Sequence, residues 1–241
     1  MDSVLPSSLS ASLNALPTSQ PPQNKQTSFK FNTIDDYFSK IGFGIYQIRA
    51  YLILGFVLIN DGAEVIVLSF LFSILSKEWG LTNGQIGFLG STVFAGFFLG
   101  ALVSGKISDT YGRKKALIYI VLLLYIFGMW SAFVYSFAML VFVRTVFGFL
   151  VGIQFPMCIT YLTEITPKEV RGKWLVLAGG FFTLGEFLAC FIAFLTLDSA
   201  SSGNWRALFI WVAQPAFLCA LGIKYLMHES PRYEVVVKKN Y

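Results

Sequence analysis

Six apolar runs, each near the length a bilayer core demands, alternate along the chain with short segments that hold most of its charge. A hydrocarbon layer about 30 Å thick is crossed by about 20 residues of helix, and every backbone polar group inside it must be satisfied within the protein. The runs predict spans at 51–75, 85–104, 116–135, 137–160, 175–197 and 207–227. Composition agrees. Of 241 residues 56% are hydrophobic and 13% charged, with a mean hydropathy of +0.67, whereas soluble domains carry about 25% charged residues. The charges are too few to cover a globular surface, which excludes most soluble enzymes and a chain disordered throughout. The expected fold class is an all-α membrane protein of six transmembrane helices.

The distribution of Lys and Arg orients the spans. Lys25, Lys30, Lys40 and Arg49 precede the first; Lys106, Arg113, Lys114 and Lys115 follow the second; Lys168, Arg171 and Lys173 follow the fourth; Lys224, Arg232, Lys238 and Lys239 attend the end. The loops of the other side hold only Lys77 and Arg206. Short basic loops stay on the cytoplasmic side, so a multi-pass protein with both termini cytoplasmic is expected. The net charge of +5 is not gathered on one face or arm, so no nucleic-acid partner is expected. Residues 1–36, with Ser7, Ser8, Pro21, Pro22 and Gln23, read as a disordered cytoplasmic tail without signal-peptide organisation. Residues 37–50 read as an interfacial amphipathic segment, 51–228 as the six-helix domain and 229–241 as a cytoplasmic segment.

Four charges remain inside the runs: Asp61, Glu64, Arg144 and Glu186. Each costs about 2.5–3.5 kcal/mol on insertion scales and requires a partner or a polar cavity. Asp61 and Glu64 are three residues apart, which places both carboxylates on one helix face and suits a cation or a proton. Arg144, permanently charged, is expected to pair with Asp61 or with Glu64; a static pair that only orients helices is the plainer reading. Glu186 is a candidate for the same pathway or an acid nearer the interface. Asn60, Gln154 and Gln214 are candidates for hydrogen bonds to a hydroxylated solute.

Gly96 with Gly100, and Gly148 with Gly152, form small-xxx-small faces suited to close helix approach. The three cysteines, Cys158, Cys190 and Cys219, lie inside apolar runs and read as small buried hydrophobes. No catalytic residue, metal or cofactor is expected. His228 is the only histidine, no nucleophile and base are paired, and no phosphate-binding loop is present.

The loop from Gly105 through Asp109, Gly112, Arg113, Lys114 and Lys115 resembles the G-x-x-x-D-[RK]-x-G-R-[RK]-[RK] signature of the major facilitator superfamily, with Thr110 at a usually basic place. Arg144 with Gly148 resembles its fourth-helix motif. Glu164, Pro167, Arg171 and Gly172, and the run Glu229, Ser230, Pro231, Arg232, are similar to marks of its sugar-porter branch. Asn60, Asp61 and Glu64 resemble the acidic first helix of the group related to synaptic-vesicle protein 2 and niacin transporters.

The resemblance implies a secondary transporter of a small organic solute, a sugar or an organic cation, working by alternating access between two six-helix halves. It implies proton coupling at Asp61 and Arg144, and a cytoplasmic charge network of Gly105, Asp109, Gly112, Arg113, Glu164, Arg171, Glu229 and Arg232 that latches the inner gate. Thr110 removes one basic contact from that latch. The likeness covers 37–233, the amino-terminal half of the twelve-helix fold, so the expected partners are the bilayer, the solute, a proton, and either a homodimeric copy or a missing carboxyl-terminal half. A non-transporting membrane subunit or scaffold is the reading from another class.

Overall fold

The computed structural model describes residues 42–199, 202–231, 233 and 234. Among them run six helices: α1 (Ile45–Glu78), α2 (Asn83–Tyr111), α3 (Arg113–Ser131), α4 (Phe137–Ile165), α5 (Lys168–Thr196) and α6 (Trp205–Leu226). A short antiparallel pairing of β1 (Leu197–Ser199) with β2 (Ser202–Gly203) joins α5 to α6. All six helices are long and apolar enough to cross a membrane. At 1.5 Å per residue the 19 residues of α3 reach about 29 Å and the 34 of α1 about 51 Å, so α1 must project beyond the hydrocarbon layer.

Starts on one end of the bundle are set by side-chain caps. Thr82 Oγ1 accepts from Gln85 N at 3.3 Å while Thr82 N donates to Gln85 Oε1 at 2.9 Å, a reciprocal box. Met139 N donates to Ser136 Oγ at 3.3 Å and Ala207 N to Asn204 Oδ1 at 3.0 Å, which opens α4 and α6. At the other end Gly112, with φ +88°, separates α2 from α3, a backbone conformation that glycine adopts without strain.

Every helix differs from its expected span at one end or both: α2 runs on to Tyr111 and α5 starts at Lys168, each seven residues past the expected bound, and two other boundaries have a visible cause. α1 begins at Ile45, inside the stretch 37–50 assigned to the membrane surface. Its start is tied inward instead: Phe43 stacks on Trp174 with centroids 4.0 Å apart, and Tyr51 Oη and Thr166 Oγ1 share a hydrogen bond of 3.1 Å. α3 stops at Ser131, four residues before the expected end, because Ala132 N and Phe133 N turn back to Met129 O and Trp130 O. The expected tail 1–36, residues 37–41, Arg232 and 235–241 lie outside the described residues.

The helices pair as α2 along α4, α1 along α5 and α3 along α6. Glycines set the closest crossings. A Cβ on Gly96 or Gly100 would overlap the carbonyls of Thr145 or Phe149 in α4, and one on Gly148 or Gly152 those of Val93 or Phe97 in α2. The α1–α5 crossing uses Gly62 and Gly185 in the same manner, each against the other helix's backbone. Ser104 Oγ donates to Ile153 O at 2.8 Å and adds a polar tie between α2 and α4. In the most apolar stretch of α1 67% of residues are buried, against 17% in α2 and in α5. The core therefore centres on α1 and α4, while α2 and α5 keep broad apolar faces open.

Candidate functional site

Asp61 and Glu64 lie near the middle of α1, three residues apart, and Arg144 lies two turns into α4. Helix α4 crosses near α1 so that Arg144 Nη1 donates to Glu64 Oε2 at 2.8 Å, with side chains 3% and 4% exposed. Of the two pairings the sequence leaves open, the structure forms this one. The guanidinium lies over Phe209 at 4.1 Å and Phe147 at 5.1 Å from the ring centroids, so the aromatic faces supply a second source of negative potential. Charge-assisted hydrogen bonding of this kind is strong where water is absent, but its gain is offset by desolvation of both ions.

Asp61 is left outside the pair. It is buried, and its Oδ2 has no hydrogen-bond partner among the described residues. Gln154 lies beside it and donates from Nε2 to Cys158 Sγ at 3.2 Å. Asn60 Oδ1 and Gln154 Oε1 are likewise buried without a partner.

A cavity of about 420 Å³ opens between α1, α2, α4 and α5. Its polar lining is Asp61, Glu64, Ser69 and Arg144; most of the remainder is aromatic, from Phe72, Phe94, Phe97, Phe147, Phe155 and Phe182. Three of the sequence candidates therefore converge on it. Asn60, Gln154 and Glu186 are not among its lining residues. Glu186 is half-buried on α5, where the crossing brings its backbone against Gly62. Gln214 Nε2 donates to Met129 Sδ at 3.5 Å, within the α3–α6 pair. The phenylalanines escaped sequence reasoning because ring residues in an apolar run look the same whether they face lipid or a cavity.

At the basic end Arg113 gathers the carboxylates of two helices. Its Nη1 lies 2.9 Å from Asp109 Oδ1 and its Nη2 donates to Glu164 Oε1 at 3.2 Å. Ser230 Oγ donates to the other Glu164 oxygen. Glu229 Oε1 accepts from Lys114 N at 2.9 Å and Ser230 N at 3.1 Å. Gly112 makes room for this, since a Cβ there would meet Glu229 Oε2 at 2.7 Å. Arg171 Nη2 donates to Thr166 O at 3.1 Å, holding the turn between α4 and α5. Gly105 faces open space and leaves a Cβ unobstructed. The unusual Thr110 turns its hydroxyl onto Lys106 O at 2.7 Å. An aromatic group missed by sequence reasoning sits alongside: Tyr46 Oη donates to Tyr161 Oη at 2.6 Å, and Tyr161 Oη to His228 O at 2.7 Å.

A family model described as sugar (and other) transporter matches residues 27–241. The chain belongs to the sugar (and other) transporter family. It is a multi-pass membrane protein whose six helices match the amino-terminal half of the major facilitator fold. Relatives of this transporter-family chain include the synaptic vesicle 2-related protein of Bos taurus, 32% identical over 203 residues, which are 84% of this chain and 36% of the relative. Another is organic cation/carnitine transporter 7 of Arabidopsis thaliana, 29% identical, covering 85% of this chain and 40% of the relative. Among solved structures, the proton:xylose symporter XylE bound to 6-bromo-6-deoxy-D-glucose superposes with a TM-score of 0.71 at 21% identity, over 82% of this chain and 47% of that one. The chain thus spans about two fifths of the length of the curated relatives it matches.

Proposed function

We propose that the six-helix body forms one wall of a secondary transporter for a small organic solute, which is held near mid-membrane and released by alternating access. The observation that carries this reading is the cavity wall itself, where Asp61, Glu64 and Arg144 are only 3%, 5% and 2% exposed. An ion pair that merely orients helices needs two groups. A third buried charge without a counterion has no packing use and is expensive to keep in a membrane. Two names point the same way: a relative called an organic cation/carnitine transporter and a structural neighbour called a proton:xylose symporter.

In this reading Asp61 also carries the coupling proton. The titratable and charged groups around it are Glu64 on α1, Arg144 and Cys158 on α4, the half-buried Glu186 on α5 and Cys219 on α6. Glu64 is neutralised by Arg144, so Asp61 is the group free to change charge. Asp109, Gly112, Arg113, Glu164, Arg171 and Glu229 act as the latch that closes the basic face, which the positive-inside rule assigns, with both termini, to the cytoplasm. The second wall comes from another six-helix body, as the parallel repeats of this architecture require.

Uptake into liposomes at several pH values tests the reading. The wild type is expected to show uptake that depends on pH, and Asp61→Asn uptake that does not; an unchanged pH profile in that variant removes Asp61 from coupling. Native mass in detergent identifies the second wall. A dimer active in liposomes assigns it to a second copy, whereas a strict monomer without uptake rules the homodimer out.

A further inference from the structure

Resting on the transporter reading above, we propose that the solute is a monovalent organic cation, held by the Asp61 carboxylate against a wall of phenylalanine rings. The charge count comes first. Glu64 and Arg144 cancel at 2.8 Å, so the cavity keeps one negative group, Asp61, buried and with Oδ2 unpartnered. One unmatched buried carboxylate calls for one positive charge.

The apolar lining then selects the kind of cation. Phe97 of α2, Phe155 of α4 and Phe182 of α5 form a continuous chain of rings, with centroids 6.5 Å apart between the first two and 6.2 Å between the last two. Ring faces carry negative potential and attract weakly hydrated substituted ammonium groups. Hard metal cations instead need about six oxygen ligands, and this lining offers two carboxylates, one already committed, and the Ser69 hydroxyl. A sugar fares no better. Each hydroxyl taken from water without a partner loses hydrogen bonds, and this wall offers only Ser69 and the uncommitted Asp61 to replace them. An anion would face Asp61 and find Arg144 engaged by Glu64 and stacked on Phe147 and Phe209. About 420 Å³ lies in the range of small-molecule sites and accepts a quaternary ammonium with a modest substituent.

Binding of tritiated choline to the whole chain in lipid nanodiscs tests this, with three competitors: tetraethylammonium, the uncharged choline isostere 3,3-dimethyl-1-butanol, and D-glucose. Tetraethylammonium is expected to displace choline at least tenfold better than the isostere, and glucose not at all. Asp61→Asn should weaken choline binding at least tenfold. Phe155→Leu, which keeps an apolar side chain in place, should weaken it several-fold with helix content unchanged by circular dichroism. Absence of choline binding, equal displacement by isostere or glucose, or full affinity in both variants overturns the proposal. Selective binding without uptake into liposomes would keep the cation site and remove the transporter reading. Uptake of glucose in place of choline would keep the transporter and remove the cation site.

Discussion

At the scale of single residues, the Glu64–Arg144 pair makes a prediction that separates it from a surface salt bridge. Both side chains are almost fully buried, so removing one partner strands the other. Glu64→Gln is expected to lower stability by about 3–5 kcal/mol, and the double replacement of Glu64 and Arg144 by leucine to recover most of it; unfolding in detergent followed by circular dichroism measures both. A loss below about 1 kcal/mol in the single variant would mean that water reaches the pair. The acidic face of α1 was legible in the sequence, because a three-residue spacing has one meaning on a helix. Arg144's choice of partner was not, since the rotation of α4 against α1 depends on packing that no local pattern records. Glu186 shows the same gap: like Asp61 it is an acid inside an apolar run, yet it is not among the residues that line the cavity.

At the scale of elements, the α2–α4 crossing is held close by glycines rather than by large interlocking side chains. Gly152→Ala forces a methyl into the backbone of Phe97 and is expected to destabilise by about 1–3 kcal/mol, the usual range for overpacking. Gly180→Ala on α5, where a Cβ meets open space, should change stability by less than about 0.5 kcal/mol. The same unfolding assay compares them, and equal effects would contradict the crossing described. Gly112→Ala combines a positive φ with a clash against Glu229 Oε2 and is expected to cost about 1–3 kcal/mol while loosening the contacts that join α3 to the chain beyond α6. The spans and the α2–α4 glycine faces could be read from run length and four-residue spacing. The Gly62–Gly185 crossing could not, because neither glycine has a second one four residues away and only the fold sets them opposite one another.

At the scale of the whole molecule, the arrangement has a closed centre and open flanks. α1 and α4 supply the core and the charged wall, whereas α2 and α5 present Phe94, Phe98, Phe187 and Phe194, all more than half exposed. The cavity is lined by residues of α1, α2, α4 and α5. Run length and loop charge conveyed the six spans, and the motifs that resemble the major facilitator superfamily implied a transporter, but neither conveyed the aromatic wall, which exists only where four helices meet. Transport of a solute across a membrane by way of Asp61 is what this wall is proposed to do. Its most direct test is uptake of labelled choline into liposomes by wild type and Asp61→Asn at equal protein incorporation. Saturable uptake is expected from the wild type, and at least tenfold slower uptake, without pH dependence, from the variant. Equal uptake by the two would contradict it.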